Sequence, residues 1–393
     1  MTETAGVNAL ERQAAAVLGE LIEPGQLELY ALVSQYGAYE ALQRLCAGEG
    51  SEALVRTVRR NLHGSDPLQR GAALLVDGQR CGARLIVATD TEWPGRLVDL
   101  AALTVDDSGA APPIALWVRG PGRLGEVCER SVAIVGARSA TSYGTHCTVE
   151  LAAGLAARNW TVISGAAYGI DGAAHRGALS AAGCTVAVLA CGVDRAYPAG
   201  HTRLLESISQ TGLVVSEWPP GSGPRQHRFL IRNRVIAALA RAVVVTEAAR
   251  RSGSRVTARR AQELGRHVMA LPGPVTSAMS VGPHELLRDW EATLITDAAD
   301  VIAVAGDLHE VLSPAGPAVV RGDVPPRDHA VLSPDSLSIV AALPGRSSLT
   351  VEQLAVTCAL TPRQVRALLP ELVMRGLAVE HSGGFGRKAA VRG

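Results

Sequence analysis

Six short apolar runs rich in valine leave the middle of this chain little choice of fold. They are VAIVGA, TVISGA, TVAVLACG, LVVSE, AVVVTEA and HVMALPG, and they fall between residues 131 and 273. Each ends in small or polar residues, and most are separated by a stretch of helical pattern. A strand that is apolar along its whole length is buried on both faces, whereas a half-buried strand alternates. Such strands alternating with helices predict a parallel, Rossmann-like sheet covered on both sides, so the fold class is α/β. Ligands of these sheets bind at the carboxyl ends of the strands, near a topological switch point. The segments to watch are therefore 136–142, 164–171, 191–197, 217–229, 247–254 and 272–282.

The flanks read differently. Residues 1–65 form a small helical domain. Leu27, Tyr30, Ala31 and Val33 have helical spacing, and Gly37 breaks the run. A connector over 66–129 carries two short strands, RLIVAT and IALWVRG, and extends the Rossmann-like domain to 66–304, with its core at 131–304. Residues 305–334 are rich in Pro, Gly and charge and read as a linker. Residues 335–393 give three helices and a hairpin, the pattern of a winged helix. Thr361 is the expected N-cap, Pro362 the first helical residue, and Gly383-Gly384 the hairpin tip.

Charge is gathered rather than abundant. The chain carries a net +1, yet eleven arginines between Arg225 and Arg266 face only Glu247 and Glu263. Lys388 is the single lysine, so it is the clustering of arginine that is informative. The seven cysteines are scattered without a CxxC pair, which argues against a disulfide framework or a zinc site. No basic-then-apolar leader and no apolar run of membrane-span length is present, so a soluble cytoplasmic protein is expected, without metal or cofactor.

The first strand–helix turn, IVGARSATSYG, lacks the G-x-G-x-x-G fingerprint, and no acid after the second strand is placed to grip a ribose. It does have the means to bind phosphate. Gly136 permits close backbone approach, the next helix offers free N–H groups, and Arg138 adds a planar donor fork. The plainer alternative is a tight turn with an exposed arginine. In SGAAYGIDGAAHRGAL, Gly165 and Gly169 make room for a ligand, and Asp171 can cap the helix and bond His175 one turn on. No Ser or Cys has a motif that would join them as a nucleophile.

These segments, together with GLVVSEWPPG, the long run from FLIRNRV to MALPGP, GPHELL and the upstream TDTEWPGRL, have the order and spacing of the DNA processing protein A (DprA/Smf) family. The sequence resembles that family over nearly its whole length, including a SAM-like helical N-terminus. The resemblance implies a bacterial single-stranded-DNA-binding protein of natural transformation that protects incoming strands, dimerises and helps load RecA recombinase, and is not an enzyme. It also implies that Gly136, Arg138 and Ser139 form a phosphate turn, with Ser164, Gly165 and Gly169 beside it. Phe229 to Arg234 would line the DNA groove, and Ser252, Gly253, Ser254 and Thr257 match the family's Ser-Gly-Ser…Thr-Ala turn. Three departures stand out. Ala137 replaces a frequent serine; the basic residues before the Phe are spread over Arg225, His227 and Arg228; and Pro283-His284 replaces Thr-Asn. Which of Arg225, His227 and Arg228 meets DNA is left open.

A single strand offers phosphates and unstacked bases, so its binder needs a cationic groove and a stacking surface. Arg225, Arg228 and Arg232 can supply charge. Phe229 can supply a ring, or it precedes the helix as a hydrophobic staple. Asn233 and Arg234 can instead brace neighbouring loops. Of Arg250, Arg251, Arg255, Arg259 and Arg260, at most half are expected to touch DNA. The winged helix carries Arg363, Arg366, Arg375, Arg387 and Lys388, a modest excess that suits either duplex DNA or a protein contact. The rival reading is a nucleotide phosphoribohydrolase of related fold. There Arg260, three residues after Thr257, stands where that signature needs a general acid/base Glu.

Overall fold

A computed structural model of the chain describes residues 2–103, 110–306, 334–344, 348–358, 360–374, 377–381 and 384–386. They fall into two compact units, Met1–Gly316 and Pro317–Gly393. The first begins with five helices: α1 (Thr2–Leu21), α2 (Leu27–Tyr36), α3 (Ala38–Ala47), α4 (Glu52–Leu62) and α5 (Pro67–Arg80). Local chemistry fixes their ends. The Ser51 hydroxyl accepts from Leu54 N, and Asp66 accepts from Gln69 N at 2.8 Å with Pro67 at the first helical position. Helix α5 lies where the sequence reading expects only a strand-bearing connector.

The remaining α-helices and strands of this unit, beside three short 3-10 helices among the described residues, are β1 (Ala83–Val87), β2 (Ala115–Arg119), α6 (Leu124–Glu129), β3 (Ser131–Val135), α7 (Ser142–Ala156), β4 (Thr161–Ser164), α8 (Ile170–Ser180), β5 (Thr185–Leu189), α9 (Thr202–Thr211), β6 (Leu213–Ser216), α10 (Gln226–Leu239), β7 (Ala242–Val245), α11 (Gly253–Glu263), β8 (His267–Ala270), α12 (Val281–Asp289), β9 (Thr293–Leu294) and α13 (Ala298–Ala305). They make one nine-stranded sheet in the order β1-β2-β6-β5-β4-β3-β7-β8-β9. Strands β3 to β9 pair in parallel, while β1–β2 and β2–β6 are antiparallel. All six valine-rich runs are strands, and β3 to β7 are buried at every position.

The chain steps outward from β3 to β6 and then returns to place β7 on the other side of β3. A crevice must open where the two directions part, at the carboxyl ends of β3 and β7. The N-terminal helices cover part of one face. Val17, Leu18, Leu42 and Val58 share an apolar core with Leu85, Trp117, Ala187 and Val214. No helix of the described residues is long and apolar enough to cross a membrane.

The second unit holds α14 (Pro334–Ala342), α15 (Val351–Cys358), α16 (Pro362–Met374) and a hairpin of β10 (Val379–His381) and β11 (Gly384–Gly386). Both later helices start on reciprocal caps. Thr361 N donates to Gln364 Oε1 at 2.9 Å while Gln364 N donates to Thr361 Oγ1 at 3.3 Å, and Thr350 and Gln353 repeat the pattern. This is the expected winged helix, built around Ile339, Leu354, Val365 and Leu372. Gly383, Arg375, Arg387 and Lys388 lie outside the described residues, as do the side chains of Arg363 and Arg366 and nearly all of the expected linker.

Candidate nucleic-acid interface

A cleft of about 800 Å³ opens at the switch point. It is bounded by the β3–α7 turn, one face of α10 and the start of α11. It brings together Gly136, Arg138, Ser139, Arg225, Phe229, Arg232, Asn233, Ser252, Gly253, Ser254 and Thr257 from the sequence reading, and adds Asp171, Tyr197, Leu230 and Arg251. Arg225, Phe229, Arg232 and Ile236 recur at helical spacing, which is why one side of α10 faces the cleft. Ser164, Gly165, Gly169, His227, Arg228 and Arg234 are not part of this lining.

The mouth of the cleft carries a stack of rings and charge. The Tyr197 and Phe229 centroids are 5.4 Å apart, tilted by 44°. The Arg138 guanidinium lies 5.0 Å above the Phe229 ring, within cation–π range. Arg138 and Arg251 are exposed, and neither has an ion pair among the described residues. Phe229 sits inside the first turn of α10, half-buried, rather than ahead of the helix as a staple. Tyr197 escaped the sequence reading of the site because nothing periodic links it to Phe229; its only signal was a position after β5.

The two glycine-containing loops serve packing. A Cβ on Gly165 would lie 1.8 Å from Arg232 Nη1, so this glycine admits the arginine. Gly169 has φ of 76°, and a Cβ there would meet the Ala137 carbonyl oxygen at 2.2 Å. It lets the β4–α8 loop close onto the β3–α7 turn, where Ile170 N donates to Ala137 O. The expectation that both glycines make room for a ligand is therefore corrected. The Ser164 hydroxyl donates to Ile134 O at 2.6 Å and faces inward.

The start of α7 is not left to a phosphate either. Buried Glu247 accepts from Thr141 N at 2.9 Å and from Thr141 Oγ1 at 2.5 Å, and its carboxylate packs over the first turn at Gly144. An internal anion thus stands against the helix end, and Arg138 is the exposed cation that this turn presents to the cleft. At the cleft floor, Arg232 is 4 % exposed and donates to Val188 O at 2.6 Å. Burial lowers its pKa to about 10, opposed by the nearby Asp171 carboxylate. Burial raises the Asp171 pKa, opposed by Arg232 and by backbone N–H groups. Asp171 does not bond His175, contrary to expectation: it accepts weakly from Ala167 N, and His175 Nδ1 meets Thr185 Oγ1 at 2.7 Å.

Most arginines of the cluster are paired. Arg234, fully buried, bonds both oxygens of Glu217 at 2.6 and 2.8 Å, and Asn233 Nδ2 donates to Gly253 O, so both brace the neighbouring loops. Arg228 is 8 % exposed and bound to Glu23 from the α1–α2 loop. Arg250 and Arg255 share Glu285, and Arg259 and Arg260 share Glu263. Of the five arginines from 250 to 260, only Arg251 lines the cleft.

Residues 84–306 match the family described as DNA recombination-mediator protein A, and residues 323–384 match the DprA winged helix domain. The chain is 45 % identical over 373 residues to a DNA processing protein DprA of Mycobacterium tuberculosis, covering 93 % of this chain and 92 % of the relative. It is 40 % identical over 191 residues to the DNA processing protein DprA of Streptococcus pneumoniae, 49 % of this chain and 66 % of that protein. The X-ray structure of the S. pneumoniae DprA matches with a TM-score of 0.57 at 29 % identity, covering 76 % of this chain and 96 % of that one. With a family match over more than half its length and a relative aligned almost end to end, this chain belongs to the DNA recombination-mediator protein A (DprA/Smf) family.

Proposed function

We propose that this protein binds single-stranded DNA in the switch-point cleft and acts as a non-enzymatic mediator of recombination. The observation that carries the reading is the Arg138–Phe229–Tyr197 stack at the mouth of a cleft that also holds the exposed Arg225 and Arg251. Unpaired bases expose π-faces that a duplex keeps stacked, so an aromatic platform beside cations favours the single strand. Arg138 extends the platform and can meet a phosphate with its outer edge. Helix α11 turns its N-terminal end, with Ser252 and Gly253, towards the same space.

Membership of a recombination-mediator family supports the next step, in which a cytoplasmic homodimer protects the strand and delivers it to RecA recombinase. The non-enzymatic reading rests on Arg260, which pairs with Glu263 at 2.9 Å where a related hydrolase would need a general acid/base carboxylate. Fluorescence anisotropy with labelled oligo-dT and a matched duplex tests the binding. The single strand should bind far more tightly, and mononucleotides should compete poorly. Equal affinity for duplex, or displacement by low mononucleotide with release of free base, would replace the mediator reading by a small-ligand enzyme.

A further inference from the structure

A carboxylate from outside the sheet stands at the cationic start of α10. Glu23, between α1 and α2, accepts from Arg228 Nε at 3.1 Å on each oxygen, from Arg228 Nη2, and from Trp218 Nε1 at 3.0 Å. Arg225 Nη1 is 3.8 Å and His227 Nε2 3.7 Å from the same group. A planar fork and an indole N–H on one oxyanion, with a second guanidinium and an imidazole nitrogen within 3.8 Å, is the setting a DNA phosphate would find.

The partners are not equivalent. Arg228 also donates to Gly223 O at 3.0 Å and lies 5.3 Å over the Trp218 ring, so it is fixed in place. The side chains of Arg225 and His227 are 66 % and 53 % exposed, and they approach Glu23 only at ion-pair distance. Arg225 lines the cleft. It is the group that Glu23 and an incoming strand can both use.

We infer that Glu23 is a positioning and affinity-setting residue of the strand-binding face, an internal counter-ion that occupies a phosphate-like position and competes with the strand for Arg225. The inference rests on the single-strand reading above. Through Arg228 and Trp218 the carboxylate pins the entry to α10, one residue before Phe229. Through Arg225 it holds affinity down, which keeps a bound strand exchangeable, as hand-off requires.

The test is Glu23→Gln in the full chain, with oligo-dT anisotropy at several salt concentrations, stopped-flow dissociation and a melting curve. Gln retains an acceptor for Arg228 and removes the charge; Glu23→Ala serves should the Gln variant not fold. Releasing Arg225 to one phosphate adds about 0.7 to the salt slope, or about fivefold tighter binding near 0.1 M salt. Dissociation should slow, and Arg225→Ala in the Glu23→Gln background should cancel the gain. Glu23→Asp, which keeps the charge, should leave the slope at the wild-type value. Unchanged or weaker binding by the charge-removed variant, with the wild-type slope, overturns the inference and leaves Glu23 a structural anchor. Failure of the wild type to bind oligo-dT at all overturns the single-strand reading instead.

Discussion

Replacing Phe229 by Ala separates stacking from charge. The ring is half-buried in the first turn of α10, touches Tyr197 at 5.4 Å and lies 5.0 Å beneath Arg138. Alanine is a strong helix former, so α10 should persist and the melting temperature should change little. The loss is the stacking of one base, about 1–3 kcal/mol, which corresponds to roughly 5- to 150-fold weaker oligo-dT binding. No cation is removed, so plots of log K against log salt should stay parallel to the wild type. Arg138→Ala should behave in the opposite way and reduce the slope by about 0.7 for one lost phosphate contact. A double-mutant cycle should return a coupling of about 0.5–1 kcal/mol from the guanidinium over the ring. Wild-type affinity for Phe229→Ala, or a deficit that disappears as salt rises, would refute the stacking role.

Further outcomes follow from the internal pairs. Arg234→Ala leaves Glu217 buried without its partner and should cost about 3–5 kcal/mol of stability by urea denaturation. A loss under 1 kcal/mol would mean that Glu217 finds another donor. Burial lowers the His175 pKa to about 3, below the value of about 6.5 expected for the unfolded chain. The unfolded chain therefore takes up the proton first, and stability declines as pH falls below about 6.5. The His175 contribution should fall by about 2 kcal/mol between pH 7 and pH 5. His175→Gln should flatten that dependence, and an unchanged profile would contradict the assignment. Deleting residues 335–393 should leave oligo-dT binding largely intact; its complete loss would move the site to the winged helix.

The sheet was legible because strands apolar at every position have one physical solution, and β3 to β7 follow it. The carboxyl ends of the strands, which hold Gly136, Tyr197 and Ser252, followed from the same pattern, whereas the strand order that makes β3 and β7 the switch point is seen only in the fold. Helix α5 was missed although Asp66-Pro67 is a good helix start, because its glycines and polar residues masked the apolar spacing. What the sequence could not give is pairing between distant residues. Arg228 looks like a groove cation until Glu23, remote in the sequence, is brought to it by folding, and Glu217, the partner through which Arg234 takes its bracing role, is equally unmarked in the sequence. Glu247 reads as a stray acid in a basic run, yet it holds the start of α7. Gly165 reads as space for a ligand, yet the space belongs to Arg232.

The most direct measurement is photocrosslinking of the full chain to an oligo-dT carrying 5-iododeoxyuridine, with the adducts mapped by mass spectrometry. This halogenated base couples to aromatic side chains that stack against it. Adducts at Tyr197 or Phe229, lost on competition with unlabelled oligo-dT, are the predicted result. Adducts confined to residues 335–393, or to aromatic residues away from the cleft, would contradict the placement of the strand between Arg138 and α10.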